Sequence, residues 1–279
     1  MKPMLICPIC HTDLNLQGKT YTCQNRHSYD ISKDGYVNLH VVQHKNSHSA
    51  GDTPESVQAR RRFLAGGFYQ HLRDKISSII NYLSPNTVLD IGCGEGYYTS
   101  ILANNERQVI GLDIAKTAII IASKTYKNQE VGKNITWVVG TGSVLPVAEG
   151  SIDICTSFFS PLPKAEMLRV LTAEGYLLVA TPAPRHLYAM REQLFERVNL
   201  HNPTKFIAEL SPEFTLIDEW QIDTPMVLDS QNLSDLMVMT PYAYKAKLDK
   251  KISLKTQTNF EVTASFCVYL FKKQYGANL

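Results

Sequence analysis

Two cysteine-bearing pairs near the start of the 279-residue chain offer the first recognisable chemistry. Cys7-Pro-Ile-Cys10 and Cys23-Gln-Asn-Arg-His27 form a C-x2-C and, twelve residues on, a C-x3-H. A two-residue gap lets one tight turn present both thiolates, and the second pair closes a tetrahedral shell. Cys7, Cys10, Cys23 and His27 are therefore the expected ligands of a zinc ion. Four protein ligands leave no open position, so the ion is structural and supplies folding energy to a unit of about 40 residues. A redox C-x-x-C would need a surrounding βα unit, which is absent, and would leave the second pair idle. His11 and His40 are the competing ligands; His11 directly follows Cys10, where ligation would strain the turn. Cys93, Cys155 and Cys267 fall in or beside strand-like segments and read as small core residues.

The second constellation is the run VLDIGCGEGY, Val88 to Tyr97, an apolar strand entering a glycine turn and then a helix. A dinucleotide turn spaces its glycines G-x-G-x-x-G, which would put the third at 97, where Tyr97 stands. Here Gly92, Gly94 and Gly96 alternate, and Asp90 ends the strand. A carboxylate there repels a pyrophosphate but can anchor an ammonium group. The ligand joining an adenosine half to a cationic amino acid, without phosphate, is S-adenosylmethionine. Asp113, seventeen residues past Gly96, ends the next strand, where a carboxylate can accept both ribose hydroxyl protons. Taken singly, Asp113 is a helix cap and Asp90 a turn residue; together beside the loop they favour a cofactor site.

These residues need a scaffold, and the periodicity describes one. Thr53-Pro54 reads as an N-cap and first helical residue. Gly66-Gly67 should break that helix, and a second follows at 68–82 with an apolar stripe of Leu72, Ile76, Ile79, Ile80 and Leu83. From residue 87, strand-like runs at 87–91, 108–113, 135–139, 152–159 and 175–181 alternate with helical segments near 97–104, 115–126, 164–171 and 186–199. That alternation predicts a parallel sheet covered on both faces. Two long strand-like runs, 214–223 and 263–273, flank a helical stretch at 230–239. The chain divides into a zinc-ribbon module (1–40), a linker (41–53) with helices to 84, and an α/β domain (85–279).

A hydrophobic fraction of 44% against 19% charged residues excludes general disorder, and six cysteines are too few for a disulfide scaffold. No apolar run approaches the roughly 20 residues that span a bilayer. The prolines and cysteines of residues 1–10 replace the apolar stretch of a signal peptide, so a cytoplasmic protein without a membrane partner is expected. The net charge of +2 singles out no partner, but the first 84 residues carry ten basic against six acidic side chains. That mild excess suits a polyanion. Arg60-Arg61-Arg62 is a phosphate contact or a solvated helix face.

The run VLDIGCGEGYYT closely resembles motif I of class I S-adenosylmethionine-dependent methyltransferases. The fold this implies is a Rossmann-like, seven-stranded α/β sheet with one antiparallel strand. With the zinc set, further blocks extend the likeness over nearly the whole chain. They are Asp34-Gly-Tyr-Val-Asn-Leu39, Gly51-Asp52, Ala59-Arg60-Arg61, Phe63-Leu64, Gly67, Tyr69, Thr181-Pro182, Pro184-Arg-His186 and Met239-Thr-Pro-Tyr242. In combination they resemble the bacterial 23S ribosomal RNA guanine-N1 methyltransferases that act on hairpin 35. The resemblance implies methyl transfer to N1 of a guanine in 23S rRNA, a zinc module that helps recognise RNA, and a homodimer. By matching position, Tyr69, Glu95-Gly96 and His186 are similar to the family's cofactor contacts. The run Ser160-Pro-Leu-Pro-Lys164 departs from the family's shorter Ala-Pro-Cys-Lys and should lie near the acceptor base. No catalytic base is identifiable. The residues alone support a zinc-containing methyltransferase. That leaves a small-molecule enzyme braced by zinc, or a non-catalytic zinc-ribbon RNA-binding protein, as the alternatives.

Overall fold

The computed structural model describes residues 4–41 and 52–274, so positions 42–51 of the linker, with Gly51, lie outside the described residues. Beside the cysteine turns, β1 (Asn15–Gln17), β2 (Thr20–Thr22) and β3 (Ser28–Asp30) make a small antiparallel sheet, and β4 (Tyr36–Asn38) follows. Thr53 caps α1 (Pro54–Ala65) as expected, its hydroxyl accepting the Ser56 N–H at 3.2 Å. The next helix, α2 (Gln70–Leu83), buries Leu72, Ile76, Ile79 and Ile80.

The alternating part holds β5 (Thr87–Ile91), α3 (Thr99–Leu102), β6 (Gln108–Asp113), α4 (Lys116–Tyr126), β7 (Ile135–Val139), β8 (Ile152–Phe158), α5 (Lys164–Val170) and β9 (Leu171–Pro182). There follow α6 (Tyr188–Leu194), shorter than the expected 186–199, and α7 (Lys205–Leu210). The chain closes with β10 (Phe214–Leu228), α8 (Ser230–Val238), α9 (Tyr242–Lys245), α10 (Leu248–Lys255) and β11 (Phe260–Lys273). None of the described helices is long and apolar enough to cross a membrane.

The large sheet has the order β10-β11-β9-β8-β5-β6-β7-β4, and β11 is its antiparallel strand. It has eight strands where seven were expected. The extra one is β4, which pairs in parallel with β7, Tyr36 opposite Trp137 and Asn38 opposite Val139. Its three residues cover backbone groups of β7 that would otherwise form an open edge.

Side chains of the central strands alternate between two buried layers, as the pleat requires. Val88, Val109 and Val139 join the layer built by α2, α4, α6 and α8. Leu89, Ile110 and Val138 join the opposite layer, where α5 supplies Met167 and Leu168. The zinc module fills the rest of that second layer with Leu5, Cys7, Leu14, Cys23, Val37 and Leu39. Backbone bonds fasten it there: Ile6 N–H donates to the Pro146 carbonyl at 3.1 Å and Ala148 N–H to the Met4 carbonyl at 2.8 Å. The module thus stands where an α/β fold would otherwise place a helix.

Because this core is shared, Leu14→Ala should cost about 2–5 kcal/mol and lower the melting of the whole chain in a single transition. Thermal unfolding followed by circular dichroism checks this. A separate early step confined to the module would contradict the shared core.

Candidate cofactor cleft and metal centre

Strand order reverses between β5 and β8, since β6 and β7 lie to one side of β5 and β8 and β9 to the other. At such a switch the connections leave in opposite directions and a crevice opens at the carboxyl ends of the strands. A cleft of about 600 Å³ occupies this place. Its walls are the loops leaving four strands: Gly92–Glu95 after β5, Asp113-Ile114 after β6, Gly140–Ser143 after β7 and Phe159–Pro163 after β8. A wider groove of about 930 Å³ runs along α6, β10 and β11, but it is remote from the glycine loop and exposes Glu192, Asp223 and Glu261. Its three carboxylates suit neither phosphates nor this chemistry, and the crevice is the candidate site.

The glycine loop is held in a shape few residues tolerate. Gly92 has φ +75°, and a Cβ there would lie 2.4 Å from the Ser160 Cβ. Gly94 also has a positive φ, and its N–H donates to the Asp113 carboxylate at 2.9 Å, which accepts from Ala115 N–H at 2.7 Å as well. Burial raises the Asp113 pKa, while these two amides and the nearby Arg60 oppose that shift. Gly96 backs onto Trp137 and Tyr126 without lining the cleft.

The remaining sequence-derived residues divide between the cleft and the wall behind it. Glu95 lines the cleft and is held by Arg60, whose Nε donates to Oε2 at 2.8 Å. Arg60 also pairs with Asp52; desolvation of this half-buried guanidinium lowers its pKa, but the two carboxylates outweigh that and raise it. Asp90 sits beneath the loop, where Thr99 Oγ1 donates to it at 2.6 Å and Thr156 Oγ1 at 2.8 Å. Burial pushes its pKa up to about 6 despite both bonds. Tyr69 and His186, 4% and 6% exposed, lie behind the cleft around Phe266, with ring centroids 4.8 and 4.9 Å from it. His186 Nδ1 lies 2.8 Å from the Ser265 carbonyl, and burial lowers its pKa to about 3, so the ring is neutral.

The three consecutive arginines go three ways, as 100° per residue on a helix dictates. Arg60 enters the cleft, Arg61 is exposed, and Arg62 makes two bonds to Asp235 of α8 at 2.6 and 2.9 Å. Arg60, Tyr98 and Phe159 are cleft residues that motif reasoning does not single out. The sequence signals for Arg60 are its place in the Ala59-Arg60-Arg61 block and in the arginine triplet, and neither assigns it to the cleft.

At the other site, one ligand atom from each of Cys7, Cys10, Cys23 and His27 lies within 4.8 Å of all the others. Cys10 and Cys23 Sγ are 3.7 Å apart, and His27 Nδ1 is 3.4 Å from both Cys7 and Cys23 Sγ. A tetrahedral zinc with bonds of about 2.3 Å to sulfur and 2.0–2.1 Å to nitrogen would set those edges near 3.8 and 3.5 Å. The residues therefore fit the ion. The Tyr29 hydroxyl, 3.3 Å from Cys7 Sγ, and Thr12 Oγ1, 3.2 Å from Cys10 Sγ, add outer donors for thiolate ligands. His11 stands outside the set.

Cleft, loop and sheet order define a class I S-adenosylmethionine-dependent methyltransferase fold with an N-terminal zinc ribbon. A family model described as RlmA, N-terminal, a zinc ribbon, matches residues 5–48, and one for a methyltransferase domain matches residues 88–175. The chain is 28% identical to YxjB of Bacillus subtilis, over 97% of each chain. It is 27% identical to the 23S rRNA (guanine(748)-N(1))-methyltransferase of Streptomyces fradiae, over 88% of each. The YcgJ protein of Bacillus subtilis shares the fold, with a TM-score of 0.51 at 19% identity over 72% of this chain and 98% of its own. Over most of its length the chain is similar to bacterial proteins named as 23S rRNA (guanine-N1)-methyltransferases, and it carries an RlmA-type zinc ribbon ahead of a methyltransferase domain.

Two outcomes follow from the loop and the carboxylate beneath it. Gly92→Ala should abolish S-adenosylmethionine binding, read by calorimetry, while zinc content stays that of the parent. The raised Asp90 pKa means that the folded state binds the proton more tightly than the unfolded chain, whose value is 3.8. Between pH 4 and about 6 the parent should therefore lose stability as pH rises, relative to Asp90→Asn. Denaturant midpoints measured across that window give the answer, and parallel pH profiles would contradict the raised value.

Proposed function

We propose that this chain transfers the methyl group of S-adenosylmethionine to N1 of a guanine in 23S rRNA, in the hairpin 35 region, with the base unpaired or flipped out of its stack. The observation that carries the reading is a methyltransferase cleft at the β5–β8 switch joined through one core to a zinc ribbon. The N1 edge is hidden in a base pair, and a hairpin loop lowers the cost of exposing it.

In this reading Gly92, Gly94 and Glu95 form the cofactor cradle, Gly96 seats the turn against Trp137 behind it, and Asp113 takes the ribose hydroxyls. Asp90, Tyr69 and His186 shape the wall from behind. Cys7, Cys10, Cys23 and His27 hold the structural zinc, and the module they fold helps to engage RNA. The bound cofactor supplies a methyl already activated by positive sulfur. The cleft residues would hold N1 in line with that carbon while the N1 proton passes to water, the cleft offering no free side-chain base among the described residues.

Among the described residues no histidine lines the cleft, and its carboxylates Asp52, Glu95 and Asp113 are held by Arg60 or by backbone amides. The chain's contribution is accordingly positional, holding N1 in line with the bond to be broken, a task worth up to roughly 7–11 kcal/mol. By the same resemblance, the active form is a cytoplasmic homodimer.

The test is transfer from labelled S-adenosylmethionine to ribosomal RNA from cells lacking this protein, with the product nucleoside identified by mass spectrometry. 1-Methylguanosine mapped to hairpin 35 is expected. Cofactor binding without any label in RNA would overturn the reading.

A further inference from the structure

Phe159 is unusual in three ways that coincide. Its backbone is left-handed at φ +61°, a conformation a bulky residue adopts only at a cost. It leaves 44% of the residue exposed at the mouth of the cleft. The turn that imposes this is bolted down on three sides. Phe159 N–H donates to the Ala180 carbonyl at 3.0 Å, the Ser157 hydroxyl donates to the Ser160 carbonyl at 3.1 Å, and the Ser160 hydroxyl donates to the Ile91 carbonyl at 2.6 Å. Phe266 and Tyr98 support the ring, with centroids 5.5 and 6.3 Å away.

An independent observation lies beside it. Tyr98 also lines the cleft, and its hydroxyl is buried without a hydrogen-bond partner among the described residues. A buried hydroxyl left unpaired is costly in a finished core and is explained where a ligand completes it. An exposed aromatic ring lining the cleft and an unpartnered hydroxyl on the neighbouring ring suit a planar heteroaromatic base, which has a π face and a hydrogen-bonding edge.

Two purines enter this chemistry, the adenine of the cofactor and the guanine of the acceptor, and the sheet order separates them. Asp113 leaves β6, whereas Phe159 leaves β8, on the far side of β5. At about 4.8 Å per strand the two are roughly 10 Å apart along the sheet. The adenosine half therefore belongs over β6 and β7, and Phe159 faces the other half of the cleft. We propose that Phe159 and Tyr98 form the seat of the acceptor base, the Phe159 ring stacking on the purine and the Tyr98 hydroxyl hydrogen-bonding its edge. This rests on the reading of the chain as an RNA methyltransferase.

The experiment uses the full chain with zinc bound, measuring cofactor affinity by calorimetry, melting temperature, and steady-state methylation of a 23S rRNA transcript. Phe159→Gly removes the ring and relieves the left-handed strain. It should melt no lower than the parent and keep its cofactor affinity within about twofold, while losing about tenfold or more in kcat/KM for RNA, the scale of one stacked base. Phe159→Tyr, which restores the π face, should recover most of that loss. Tyr98→Phe should lose about three- to tenfold for RNA with cofactor affinity unchanged. RNA kinetics equal to the parent's in Phe159→Gly would overturn the proposal. So would a parallel loss of cofactor affinity, which would make this the adenine seat, or a lower melting temperature with all binding weakened, which would make the ring structural. A parent that binds cofactor but transfers no methyl to RNA would remove the underlying function, and this proposal with it.

Discussion

The structure depends on keeping the crevice at the carboxyl ends of β5 and β8 open to a ligand while the loops that line it find partners for their backbone groups. A sheet whose strand order reverses leaves that crevice to be lined by loops, and a buried loop must satisfy its own amides and carbonyls. Here the loops satisfy one another. Gly92 and Cys93 donate to the Leu112 carbonyl at 2.8 and 3.1 Å, Gly94 to the Asp113 carboxylate, Gly140 to the Asp113 carbonyl at 3.0 Å, and Ser160 to the Ile91 carbonyl. Four strand ends are thereby tied into one rim. The backbone comes close enough for this because Cβ atoms are missing where Ser160 and Trp137 press against the glycine loop.

Buried charge braces the sheet at both ends of its strands, Arg107 at the amino end and Asp90 beneath the rim. Arg107, only 3% exposed, donates to the carbonyls of Pro85 and Leu102 at 3.0 Å and of Ile80 at 3.4 Å, joining the ends of α2 and α3 to the start of β6. Asp90 does the equivalent from β5, drawing the hydroxyls of Thr99 and Thr156 onto one carboxylate. Each group is costly to bury alone and is retained with hydrogen bonds that hold α3 and β8 in fixed relation to the glycine loop. The carboxylate expected to meet the cofactor's ammonium instead holds the platform on which the loop rests.

What was legible in the sequence was what is local. The zinc spacing and the glycine loop are turns whose chemistry is complete within a few residues, and the strands of the core announce themselves by β-branched runs. The alternation of strands and helices was equally readable, but it gave no indication of depth: Asp90 shares a short strand with Leu89 and Ile91, and its shielding by threonines 9 and 66 positions away has no local signature. The eighth strand escaped notice because three residues carry no periodicity, and its partner lies about 100 positions on. Phe159 and Tyr98 were not singled out, and Arg60 was read only as a phosphate contact or a solvated face, for the same reason. Their roles come from loops that meet only at the switch point, and nothing in an arginine triplet says which member will turn inward.

The zinc module deserves a mechanical reading as well as a recognition one. Its polypeptide leaves the metal turns as β4, pairs with β7, and continues until Leu39 N–H donates to the Val139 carbonyl at 2.9 Å. The next residue of that neighbouring strand is Gly140, which lines the cleft and bonds to Asp113. A path of backbone hydrogen bonds thus runs from the module to Asp113, the residue proposed above for the cofactor ribose. RNA held by a tethered bead would sample many orientations relative to the methyl donor. RNA engaged by a module that is itself part of the sheet, as proposed above, would arrive in one, and for a reaction that relies on alignment that rigidity is what the fold would supply.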